Sequence, residues 1–240
     1  MRLRPFLGAA LLGAVCAGMA LGQEFVVGAT YAQPTSRYGH GVLGDTVEWG
    51  ALRLDLADCK DCPATHSREW ELPQHLVFED VAPRVHDLDA DGHAEIIVVE
   101  SHLEKGARLA VYGANGRITA LPHIVRRHRW LAPAGIADFD GDGAMDVAYV
   151  ETPHLGKLLR VFRYKDAQLT EIASLPGVSN HRIGENFISS GVRFCDGTPE
   201  LLLASGDWTR LLAVRLMPLP AVEDTGPWTG RQGLRAALEC

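Results

Sequence analysis

Positive charge is scarce in this chain. Across 240 residues, 23 lysines and arginines face 30 acidic residues, a formal net charge of −7. With its basic residues scattered, such a chain is a poor match for nucleic acid or an anionic membrane surface. The basic run Arg126-Arg127-His128-Arg129 is too short to alter that. No phosphate loop, dinucleotide fingerprint or nucleophile motif is present, which removes the commonest nucleotide-dependent and acyl-transfer chemistries. Amphipathic helical runs are also missing from the body of the chain. Its apolar runs are short, β-branched residues are common, and proline or glycine interrupts every longer stretch. These absences point to an all-β protein.

The N-terminus is different in kind. Arg2 and Arg4 precede an apolar run from Phe6 to Met19, and Ala20-Leu21-Gly22 places small residues where a signal peptidase reads. Residues 1–22 therefore read as a signal peptide, with residues 23–240 as one domain in the periplasm or outside the cell. A retained anchor needs about 20 strongly apolar residues, and this run is shorter and diluted by alanine and glycine. Val15 stands where a lipoprotein wants a small residue before Cys16. Cleavage would leave 21 basic against 30 acidic residues, a net charge of −9, and no membrane span. It also leaves four cysteines, and an even number in an exported chain favours disulfides. Of the three possible pairings, Cys59–Cys62 with Cys195–Cys240 is the expected one. A redox-active or zinc-binding Cys-x-x-C at Cys59 and Cys62 is the alternative.

Two segments repeat. Asp87-Leu88-Asp89-Ala90-Asp91-Gly92-His93-Ala94-Glu95 and Asp138-Phe139-Asp140-Gly141-Asp142-Gly143-Ala144-Met145-Asp146 begin 51 residues apart, and each runs into a β-like stretch. A fixed period of that order is the mark of a repeat architecture. Degenerate copies flank the pair at Tyr38–Leu54 and Ser190–Ala204. With Val42, Val85, Ile136 and Val192 as equivalent positions, each unit reads as four antiparallel strands with an acidic loop between the first two. The expectation is a small β-propeller of about four blades, the ring completed by the N-terminal strand Phe25–Tyr31. A fifth blade would have to come from the tail, Gln232–Leu238.

The acidic loops carry the chemistry. Carboxylates at positions 1, 3, 5 and 9, with a backbone carbonyl at position 7, supply the hard oxygen ligands that Ca²⁺ prefers. Glycine at position 6 permits the tight turn. The expected ligands are Asp87, Asp89, Asp91 and Glu95 with the His93 carbonyl, and Asp138, Asp140, Asp142 and Asp146 with the Ala144 carbonyl. An EF-hand is excluded, since Val98 and Tyr149 occupy position 12 and strands rather than helices follow. On these residues the chain resembles the FG-GAP/VCBS-type repeat family, found in integrin α-subunit propellers and many bacterial exported proteins. The resemblance implies a propeller with calcium held between the first and second strands of a blade. That family includes adhesion, recognition and enzymatic members, so function has to be read from the site.

The face opposite the calcium loops gathers Glu100, His102, His128, Trp130, Glu151, His154, His181, Arg182, Asp207 and Trp208. Glu100 and Glu151 stand five residues beyond Glu95 and Asp146, in matching places of two repeats. These residues read either as neutralised or solvated turns, or as a recognition surface for a protein, glycan or small molecule. A catalytic or zinc site built on Glu100, His102, Glu151 and His154 is the third reading. The favoured function is a calcium-stabilised binding module without catalysis. A small propeller hydrolase or lyase is the alternative.

Overall fold

The computed structural model describes residues 24–240, so the signal-peptide segment lies outside the described residues. The first sheet holds β1 (Phe25–Thr35), β2 (Glu48–Ala57), β3 (His66–Glu71), β4 (Leu76–Phe78), β5 (Arg84–His86), β6 (Glu95–His102), β7 (Gly106–Gly113) and β8 (Gly116–Ala120). The second holds β9 (Leu131–Ala137), β10 (Asp146–Glu151), β11 (Leu158–Lys165) and β12 (Gln168–Pro176). The third holds β13 (Val178–Ser179), β14 (Gly191–Arg193), β15 (Glu200–Ser205), β16 (Arg210–Arg215) and β17 (Ala221–Pro227). The chain ends in a helix, α1 (Gly230–Leu238). No helix among the described residues is long and apolar enough to cross a membrane.

The repeat is real in the pairing. Val85 faces Ile96, Ile136 faces Val147 and Val192 faces Leu201, so the three equivalent valine and isoleucine positions occupy one register. In these three units β6, β10 and β15 are the central strands, and their apolar residues are buried on both faces. Successive side chains on a strand point to opposite sides. Ile97 and Val99 accordingly pack with Val147, Tyr149 and Phe162, while Ile96 and Val98 pack with Leu52, Leu54 and Leu56. Ala148 and Val150 pack with Leu201 and Leu203. Neighbouring units therefore pack face to face.

The first unit departs from expectation. Tyr38–Asp45 is a loop, with Gly39, Gly41 and Gly44 all at positive φ, a conformation no strand adopts. It joins β1 to β2 at the end of the fold opposite the acidic loops, whereas the start of β1 lies beside the first acidic loop, Phe25 stacking on His93 at 4.3 Å. The unit is thus the meander β1-β2-β3, joined to the second unit where β4 pairs with both Trp49 and Glu100. None of the three sheets closes, and β1 pairs only with β2.

The outer faces of the first and last units are finished differently. The outer side of the first unit is polar, with Gln33 donating to Glu71 at 2.6 Å and Arg53 beside Asp55 at 3.6 Å. The last unit takes its outer strand from β17, inside a proline-containing stretch. Its outer face, Leu202, Leu211 and Ala213, is covered by Leu234 of α1 with Trp228, Ala237 and Leu238. The tail expected as strand only in a five-bladed reading is this helix. The Cys195–Cys240 disulfide ties it down, and Cys59–Cys62 forms the local pair, as expected. Leu234→Ala should cost about 2 kcal/mol, the low end of the range for truncating a buried leucine. Urea denaturation measures it, and an unchanged midpoint would show that the last sheet does not need its cover.

Candidate functional site

The two acidic loops share one construction. In the first, Glu95 Oε2 accepts the Leu88 N–H at 2.8 Å; in the second, Asp146 Oδ2 accepts the Phe139 N–H at 2.9 Å. The first aspartate of each loop gathers backbone N–H groups from the turn: Gly92 onto Asp87, and Gly141, Asp142 and Gly143 onto Asp138. Three carboxylates per loop then bring an oxygen within 4.8 Å of one another, Asp87 with Asp89 and Glu95, and Asp138 with Asp140 and Asp146. Asp91 and Asp142 stand outside these triplets. Asp91 accepts the His93 N–H at 2.7 Å and Asp142 the Ala144 N–H at 2.9 Å.

Several carboxylate oxygens in these loops have no donor. Asp87 Oδ1, Asp140 Oδ1 and Asp146 Oδ1 are buried without a hydrogen-bond partner, and Asp146 is fully buried. Buried acceptors left unpaired are costly. A divalent cation with oxygen preference supplies what they lack, so the residues present fit calcium. Burial, followed by the neighbouring acids, pushes both Glu95 and Asp146 up to about 7.

On the opposite face, loops from all four units meet. A cavity of about 300 Å³ is lined by His40, His128, Arg129, Trp130, Thr152, Pro153, His154, Leu155 and Ile183. The β1–β2 loop reaches it because Gly184 N–H donates to the Val42 carbonyl (3.0 Å) and His128 N–H to the Tyr38 hydroxyl (3.2 Å). Trp130 forms the floor, its indole N–H donating to the Glu79 carbonyl at 2.7 Å.

Partners behind the pocket set the tautomers of its imidazoles. His181 Nε2 lies 2.8 Å from the Glu185 carbonyl, which can only accept, so that nitrogen carries the proton. His181 Nδ1 is then a lone pair, and accepts from His154 Nε2–H at 2.9 Å. His154 Nδ1 is left as an acceptor. Arg127 Nε donates to His128 Nε2 at 3.1 Å, leaving His128 Nδ1–H as a donor. His40 Nδ1 sits 2.5 Å from Glu79 Oε1, and Ser101 donates to the other Glu79 oxygen. Burial pushes Glu79 up to about 8 and lowers His40 and His154 to about 4. Burial thus favours the proton between them on Glu79, whose carboxyl donates to His40 Nδ1 and leaves His40 Nε2–H as a donor.

The remaining residues expected on this face are dispersed. Glu100 is fully buried and held by Arg108 (2.5 Å), Tyr112 (2.5 Å) and Arg117 (3.3 Å). Glu151 is bound by Arg160 at 2.9 Å, beside a separate small cavity. His102 sits among His75 and His123, with ring centroids 5.2 and 5.4 Å away. Arg182 lies over Trp208 at 4.3 Å, and Asp207 caps its own turn through Ser205 and Thr209. Glu100, His102, Glu151 and His154 therefore do not converge. Sequence reading missed His40 and Glu79, which lie far from the pocket residues along the chain and carry no local motif.

Together these features define an all-β protein of repeated antiparallel units whose acidic loops lie at one end and a histidine-rich pocket at the other. The family model for the FG-GAP-like repeat matches residues 87–149, and the chain carries such a repeat there. No protein of curated function matches the sequence. Among solved structures, the exotype rhamnogalacturonan lyase YesX is similar at 14% identity and a TM-score of 0.40, over 85% of this chain and 48% of that one. Rhamnogalacturonan lyase YesW is similar at 11% identity and 0.38, over 86% and 50%. The rhamnogalacturonan lyase of Bacillus licheniformis follows at 11% and 0.34, over 76% and 47%. The chain spans about half the length of each, and likeness of this order assigns no activity.

Metal-free protein should lose stability as pH rises through the acidic range. Glu95 and Asp146 hold their protons more tightly folded than unfolded, so their contribution is fully present below the ordinary carboxylate values and is lost as pH climbs to about 7. Protein stripped of metal on a chelating resin should show a lower urea midpoint at pH 8 than at pH 5. The Glu95→Gln, Asp146→Asn double variant should flatten the difference, and an equal slope in both proteins would refute this assignment.

Proposed function

We propose that this chain is a calcium-stabilised binding module of FG-GAP-like repeats, acting outside the cytoplasm, with its ligand site on the face opposite the acidic loops. The observation that carries the calcium reading is the same in both loops. Three carboxylates meet at one point, and buried oxygens there have no protein partner. Asp87, Asp89 and Glu95 would hold one ion, and Asp138, Asp140 and Asp146 the other, with the His93 and Ala144 carbonyls available from the same turns. Bound calcium would neutralise the mutual repulsion of each triplet and fix the loop that sets the register of the following strand.

Binding is favoured over catalysis because the acids and histidines expected to act together are apart. Glu100 and Glu151 are each committed to arginine partners in different places. What remains at the mouth of the pocket is a set of imidazoles fixed as donors or acceptors around an indole floor, the arrangement of a recognition site. Two disulfides and the N-terminal segment fit an oxidising compartment.

A ligand that binds only the folded state at a hundredfold excess over its dissociation constant stabilises it by about 2.7 kcal/mol per site. For two sites in a chain of this size, chelation should lower the melting temperature by roughly 10–20 °C. Asp140→Ala should remove about half of that response. Identical melts in EGTA and in millimolar calcium would overturn the calcium reading.

A further inference from the structure

The residues lining the pocket carry an asymmetric set of polar atoms. His40 Nε2–H, His128 Nδ1–H and the Arg129 guanidinium are donors, and His154 Nδ1 is the acceptor among the ring nitrogens. Arg129 makes no ion pair among the described residues. Its guanidinium reaches only the His128 carbonyl, at 3.4 Å. Its charge is nonetheless close enough to help lower the His40 imidazole. An unpaired cation in a partly closed site lacks an anion, and a guanidinium pairs best with a carboxylate or phosphate. The rim is apolar, for Leu155 is 62% exposed and Ile183 72% exposed beside the same cavity.

We propose that this pocket binds a small hydroxycarboxylate. Its carboxylate pairs with Arg129 and the N–H groups of His128 and His40, its hydroxyl donates to His154 Nδ1, and its carbon body lies against Leu155 and Ile183. The proposal rests on the binding-module reading above and names the ligand class for that site. A neutral polyol would leave Arg129 unpaired. A simple fatty or aromatic acid would leave His154 Nδ1 without a donor. A metal ion fits less well, because among the described residues only the acidic loops bring three donor atoms within 4.8 Å of one another.

The test is nitrogen-15 NMR of the imidazole rings in the calcium-saturated protein, titrated with glycolate, lactate, mandelate and gluconate. Matched comparators are the acids without the hydroxyl (acetate, propionate, phenylacetate) and the alcohols without the carboxylate (ethanol, benzyl alcohol). Before any addition, the spectrum should show His154 with its proton on Nε2 and His128 with its proton on Nδ1. The hydroxy acids should then move both rings at lower concentrations than either comparator set. Arg129→Gln should weaken hydroxy-acid binding about tenfold or more, the loss expected for a charge-assisted hydrogen bond, with melting temperature and calcium response unchanged. His154→Gln should erase the advantage of hydroxy acids over plain acids. Should that variant fail to fold, Arg129→Gln, on a residue with no ion pair to lose, decides alone. The opposite tautomers would overturn the proposal. If the alcohols bind as well as the hydroxy acids, the ligand class is wrong while the binding module stands. If no compound moves either ring, the ligand class and the pocket as the module's site fall together.

Discussion

Strands β6, β10 and β15 are buried on both faces, and the architecture follows from that constraint. A strand of this kind cannot stop at solvent on either side, so each of its faces must be covered by another element. On the first unit β2 turns a charged side outward through Arg53 and Asp55. On the last, α1 lays Leu234 over Leu202, Leu211 and Ala213, and the Cys195–Cys240 disulfide holds the helix. The first and last units also meet through the β1–β2 loop, where the Gly184 N–H donates to the Val42 carbonyl.

The same strands tie the two ends of the molecule together. β10 starts at Asp146, whose carboxylate grips the Phe139 N–H in the second acidic loop. It ends at Glu151, from which the chain turns through Thr152 and Pro153 to His154 at the pocket. Thr152 N–H donates to the Trp130 carbonyl at 2.9 Å, locking that turn to the pocket floor. A loop that fixes the start of β10 therefore also fixes the height at which His154 is presented. On the reading proposed above, a metal bound at one end would support recognition at the other without touching the ligand.

The sequence made the three acid-led units legible because their signals are local. A 51-residue period, glycine at position 6 and β-branched runs depend on neighbours along the chain, and the Val85, Ile136 and Val192 equivalence survives in the pairing. Tyr38–Asp45 misled because glycine and a short apolar run imitate a degenerate repeat. Its three glycines at positive φ make it a loop, and only the fold shows that it serves the opposite face. Glu100 and Glu151 misled for another reason. Their matched spacing is genuine, but what silences them comes from adjacent strands, Arg108 in β7 and Arg160 in β11. Cross-strand neighbours are set by register, which a period along one strand does not reveal. His40 and Glu79 could not be linked at all, being brought together only by the course of the β1–β2 loop.

Comparison of the three acid-led strands explains why their loops differ in unpaired negative charge. Each central strand opens on an acid: Glu95, Asp146 and Glu200. The residue across the next strand decides its environment. Glu200 faces Arg215 at 2.5 Å and also takes Arg193 at 2.6 Å, so two guanidiniums neutralise it. Asp146 pairs in register with Arg163, but that arginine bends to Asp140 and Asp142, leaving Asp146 Oδ1 bare. Opposite Glu95 the chain has Gly113, one step beyond the Ile96–Tyr112 pair, and no arginine at all. Lys60 stands 3.9 Å from Asp87, and Arg117, which lines the cavity beside Asp89 and Glu95, is paired with Glu100 instead. Neighbouring carboxylates repel most where no fixed cation lies between them. Unpaired negative charge is thus greatest in the Asp87 loop, intermediate in the Asp138 loop and least at Glu200, in step with the number of arginines paired to each strand-opening acid and its loop.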